Sequence, residues 1–68
     1  MMKEKLDNLV CDNIQDTAYT LHGWCVEYGE ARTLERQLEC LREMGKNIKR
    51  IQEDFDKAVV YYRELIGD

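Results

Sequence analysis

His22 and Cys25 stand three residues apart in the run YTLHGWCVEYGEAR, which also holds the chain's one Trp, Trp24. That spacing is close to one helical turn, so the imidazole and the thiol can share a face. Two chemistries are open to such a pair, metal ligation and nucleophilic catalysis. A structural zinc site asks for four ligands, commonly from CxxC or HxxxH pairs. This chain has one His and no CxxC, and its other thiols, Cys11 and Cys40, are distant in sequence. A helical di-iron site asks for Glu-x-x-His pairs, and the residue three before His22 is Tyr19. Nucleophilic catalysis needs an orienting group, an oxyanion hole and a pocket. The sequence offers no strand-turn-helix elbow and no Gly-rich phosphate loop to build them. The expectation is therefore no catalytic residue, no metal and no cofactor. Cys11 and Cys25 read instead as small packing groups on a helix face, with Cys40 at the border of another.

The same stretch has a second property. From Thr17 to Val26 it carries no charge. Over ten residues an isolated amphipathic helix would show a charged outer face. A charge-free decade containing Tyr19 and Trp24 points to a surface covered by another protein, since Tyr and Trp are enriched at binding hot spots. The competing reading places Trp24 and Tyr28 in the core, as large aromatics commonly are. The acids around the stretch are Asp12, Asp16, Glu27 and Glu30. With Tyr19 and Trp24 they form the candidate partner-binding set, suited to a protein with a basic surface.

The elements that must position these groups are helices. Proline is absent and charged residues make up 35% of the 68 residues. Cys11, Ile14, Ala18, Leu21, Cys25 and Tyr28 recur at spacings of three and four, with Leu6, Val10 and Trp24 on one flank and Tyr19, His22 and Val26 on the other. The apolar arc spans roughly 220°, wide enough to pack against more than one neighbour. A second segment repeats Leu34, Leu41, Ile48, Phe55 and Tyr62 every seven residues, with Met44, Ile51, Ala58 and Leu65 as companions. Tyr28 and Leu34 are out of phase, and Gly29 and Thr33 supply a stop and a cap between them. The spacing predicts one all-α domain: a helix over about 3–28, a turn over about 29–32 and a long helix over about 33–66. Gly45 inside EMGKN leaves a small three-helix bundle as the alternative.

Size bears on partners. A chain this short buries only about 60% of its unfolded surface, so it usually needs a disulfide, a metal or a second subunit. Three Cys is an odd number, and the opening MMKEKLDNLV has no apolar signal-peptide core, so the reading is a reduced, cytoplasmic protein. Two hairpins with wide apolar stripes can bury both as a four-helix bundle. The expected oligomer interface and core are Ile14, Leu21, Leu34, Leu41, Ile48, Ile51, Phe55 and Tyr62. The net charge of −4 lies wholly in residues 1–31, where two bases meet six acids. That argues against nucleic acid, which asks for a basic stripe. GKNIKR is flanked by Glu43, Glu53 and Asp54 and reads as a solvated face. No apolar run approaches a membrane span. The functional expectation is a small noncatalytic interaction module. It would act as a regulator or inhibitor by docking on another protein, in the manner of phage inhibitors of host enzymes or defence systems. The rivals are a structural subunit or chaperone-like component of an assembly, and a thiol or metal protein.

Overall fold

The computed structural model describes residues 2–67, and over them the chain is two antiparallel helical arms. The first arm is α1 (Met2–Asn8), a π-helical segment (Leu9–Ile14) and α2 (Gln15–Glu30); the second is α3 (Leu34–Ile66). No strand occurs among the described residues. This is the all-α hairpin with a long second helix that the periodicity predicts. The helix break entertained at Gly45 does not occur: α3 runs unbroken for 33 residues.

The connection differs in one respect from expectation. Gly29 is not a left-handed stop; α2 continues through it to Glu30 and ends where Ala31 turns extended, at φ −68° and ψ 133°. The capping role of Thr33 holds. Its backbone is extended, and its Oγ1 accepts a hydrogen bond from the Arg36 N–H at 3.1 Å, satisfying one of the free donors of the first turn of α3. At the far end Gly67 takes φ +80°, and its N–H donates to the Arg63 and Glu64 carbonyls, closing α3.

The π segment re-phases the first arm. The Gln15 N–H donates to the Val10 carbonyl, five residues back, as well as to Asp12. A regular helix would place the residue seven before Thr17, Val10, against α3. The extra residue in the turn brings Leu9 there instead, so Leu9 is buried and Val10 exposed.

The most buried residues of the seam between the arms are mostly small or polar, with larger apolar side chains half-buried beside them. Leu9 and Thr17 of the first arm and Cys40, Asp54 and Ala58 of α3 are its buried residues. Half-buried Met44, Asn47, Ile51 and Tyr61 complete the α3 row, at alternating spacings of three and four.

The α3 residues expected at the oligomer interface and core do not pack between the arms of the single hairpin. Leu34, Leu41, Ile48, Phe55 and Tyr62 are all exposed, Leu34 at 83% and Phe55 at 54%. Ile14, Leu21 and Ile51 are half-buried. The reason is geometric. Only one face of each helix can meet the other arm of the same chain, and the arms use the smaller, more polar face of α3. The thiols follow the same correction: Cys11 and Cys25, expected to pack, are exposed, and Cys40, expected at a border, is fully buried. The hairpin measures 51 × 16 × 12 Å. Its radius of gyration is 15.4 Å, against about 11 Å for a compact chain of this length.

Candidate protein interface

The structure separates the residues that the sequence grouped. Tyr19 is 68% exposed and borders a shallow hollow with Gln15, Ala18 and His22 on the outside of α2. Five residues further on, Trp24 lies about 140° around the helix. It is half-buried at the groove between α2 and α3, which Thr20, Gly23, Glu27 and Arg36 also line. The Arg36 guanidinium sits 5.6 Å from the centroid of the Trp24 ring. It is held there by Glu27, whose Oε2 lies 3.1 Å from Nη2, and by Glu39, whose Oε1 lies 2.9 Å from Nη1. Hydrogen bonds that it donates to Glu27 and then to Glu39 hold the guanidinium above its already high ordinary pKa. Trp24 is therefore a packing residue of the hairpin under a cationic lid, and Tyr19 is the free aromatic.

The acids divide similarly. Glu27 bridges the arms through Arg36. Asp12 and Asp16 line a polar groove with Asn13, Thr17, Thr20, Asn47 and Arg50. Glu30 is exposed at the turn end of α2. Tyr19 borders its own hollow next to the acidic groove rather than lining it, and the six candidate residues do not form one patch. On the solvated face of GKNIKR, Lys46 pairs with Glu43 at 3.1 Å. Tyr28, weighed as a core group, is exposed.

Two faces of the hairpin contrast. The groove side carries Asp12, Asp16, Glu27, Arg36, Asn47 and Arg50, drawn from both arms. The opposite edge of α3 carries Leu34, Leu38, Leu41, Ile48, Phe55, Tyr62 and Ile66, all exposed. Its residues recur every seventh position from Leu34 to Tyr62, with Leu38 and Ile66 added at the two ends; Gly45, Gln52 and half-buried Val59 fill the intermediate positions of the row.

His22 and Cys25 are both exposed. Among the described residues no three His, Cys, Asp or Glu side chains converge as metal ligands do. No described helix is long and apolar enough to cross a membrane.

Sequence reasoning missed one group. Asp54 is 7% exposed on the seam face of α3, and its Oδ2 is buried without a hydrogen-bond partner. The signal was its place in the row Cys40, Asn47, Asp54, which is as regular as the apolar row but chemically disguised. No protein-family model matches this chain, and neither a curated protein nor a solved structure matches it.

Proposed function

We propose that the protein is a small noncatalytic interaction module that works in a reducing cytoplasm as a regulator or inhibitor, by docking on another protein. The observation that carries the reading is the exposure of Tyr19 in the middle of a charge-free helical stretch, beside Ala18 and His22. A large aromatic held on a rigid helix supplies contact area at little entropic cost. The acids of the neighbouring groove, Asp12 and Asp16, would steer a basic surface toward the module and set the salt dependence of association. The apolar row of α3 is assigned to a second copy of the chain, which leaves the Tyr19 side free for the partner.

A structural or chaperone-like subunit is the second reading, favoured by the length of the exposed apolar row. It would need that row for a different chain and would leave the isolated protein poorly soluble.

The test is site-specific photo-cross-linking in the native cell, from position 19 and from Lys46 on the polar side. A discrete adduct with one larger protein is expected from position 19 alone. No heterologous adduct from position 19, or the same adducts from both sites, would remove the reading. In purified form Tyr19→Ala should weaken that complex about thirtyfold, as loss of an aromatic anchor does.

A further inference from the structure

We propose that the apolar row of α3 is covered by a second copy of this chain, packed antiparallel about a two-fold axis, in one register set by charge. The inference deepens the dimer part of the reading above and does not depend on which protein Tyr19 engages.

Area is the first argument. The chain exposes 5362 Å² at a mass of 8.1 kDa. A compact monomer of that mass exposes about 4,500 Å². The excess, about 900 Å², is close to the roughly 800 Å² that each partner buries in a stable complex. The apolar edge that would account for it runs the length of a 33-residue helix. Exposed large apolar side chains aligned along one helix edge are unusual on a monomer.

Shape and charge choose the arrangement. Antiparallel α3 helices in full overlap put Leu34 opposite Ile66 of the other copy, Leu41 opposite Val59 and Gly45 opposite Phe55. A Cβ at Gly45 would meet nothing within 4 Å, so the position is open, and the bulky ring of Phe55 from the other copy falls there. A parallel pair would instead set Gly45 against Gly45 and leave a void.

The positions flanking the row on its outer side are Glu35, Arg42, Lys49, Asp56 and Arg63. In an antiparallel pair these face their counterparts. Full overlap brings Glu35 to Arg63 and Arg42 to Asp56, each pair occurring twice, with only Lys49 meeting its own copy. Sliding one heptad one way brings Glu35 to Asp56 and Arg42 to Lys49, all like charges. Sliding the other way brings Arg42 to Arg63 and leaves Lys49 with Asp56 as the attractive contact. Glu35 and Arg42 form no ion pair with any described residue of their own chain, and Asp56 accepts only the Gln52 amide, at 2.9 Å. On the inner flank of the row Met44, Ile51 and Ala58 are apolar and turn toward the first arm, as a four-helix arrangement requires, while Leu65 beyond them is exposed.

The experiment is sedimentation equilibrium on the purified full chain, on Arg42→Glu, on Asp56→Arg and on an equimolar mixture of the two variants. The wild-type protein is expected to be a dimer at micromolar concentration. Each variant alone sets like charges together twice and should weaken the dimer about tenfold or more. In the mixture each reversed residue meets an opposite charge on the other chain, so a heterodimer should form with a Kd within about threefold of wild type. Both substitutions are at exposed helix positions, and circular dichroism at 222 nm checks that each variant stays helical. A wild-type monomer at 100 μM would overturn the proposal and assign the row to a different protein. Variants that dimerise like wild type, a mixture that gains nothing, or open-ended polymers would overturn it too. None of these results alters the cross-link from position 19, so this proposal and the docking reading fail separately.

Discussion

Replacing Asp54 by leucine should stabilise the protein, although it deletes the one acid at the centre of the seam between the arms. Asp54 is 7% exposed, and its Oδ2 has neither water contact nor a hydrogen-bond partner. Leaving a buried polar atom unsatisfied costs about 1–3 kcal/mol. Leucine removes that cost and adds apolar burial worth roughly 1.5–3 kcal/mol for a well-covered side chain. Against this stands its larger volume, because overpacking the seam costs about 1–3 kcal/mol. The net expectation is a gain of about 2 kcal/mol. For a domain of this size that is a rise on the order of 10 °C in Tm. The assay is thermal unfolding followed at 222 nm, with all variants at one protein concentration, because any association makes Tm concentration-dependent. Asp54→Asn keeps the shape and the polarity and should gain much less. A lower Tm for Asp54→Leu, with Asp54→Asn equal to wild type, would refute the reasoning. It would show that a polar group at this position fixes the alignment of the arms and repays its burial.

Two further outcomes follow from the placement of single side chains. Trp24→Ala should destabilise the hairpin by about 2 kcal/mol, below the usual range for a fully buried Trp because this one is half-exposed. Tyr19→Ala should stay within about 0.5 kcal/mol of wild type, as surface changes do; urea midpoints measure both, and reversed ranks would exchange the roles given to the two aromatics. Cys40, fully buried, should react with a thiol reagent only on global unfolding, about a hundredfold or more slower than Cys11 and Cys25 in dilute solution. Mass spectrometry of the labelled peptides reads the order, and rapid labelling of Cys40 would mean that the seam opens locally.

The helices were legible because their signal is periodic and long. Absence of proline, two phases of apolar repeat and Thr33 before Leu34 give the hairpin, and the structure places Thr33 as the cap. The identity of the inner face was not legible. Hydropathy reports which side chains avoid water and is silent on which neighbour covers them. Leu41, Ile48 and Phe55 therefore looked like core, while Asn47 and Asp54, at equally regular spacing, did not. The π segment left no mark because it arises between elements: it is the adjustment that brings Leu9 rather than Val10 against α3. Tyr19 and Trp24 looked like one patch because a charge-free run was read along the chain. Read around the helix, their separation of five residues already set them apart.

This distribution of polarity has a physical consequence for how the chain holds together. A hairpin normally hides its largest apolar groups between its arms and leaves polar ones outside. Here Thr17, Asn47 and Asp54 lie at or near the seam, while Leu34, Leu41, Ile48, Phe55 and Tyr62 face outward. Burial scales with apolar area, so covering the row along α3 would add stabilisation that the seam alone does not supply. Ordering a chain of this size costs on the order of 100 kcal/mol, nearly what burial can return. On the dimer proposal, the sequence reaches its full stability only when α3 is covered. Folding and association are then one linked equilibrium, and stability rises with the logarithm of concentration. A Tyr19 face carried on each hairpin would then be presented twice, on a scaffold that is rigid only once paired. Two such faces, engaging one target or two adjacent ones, would gain avidity without any new contact.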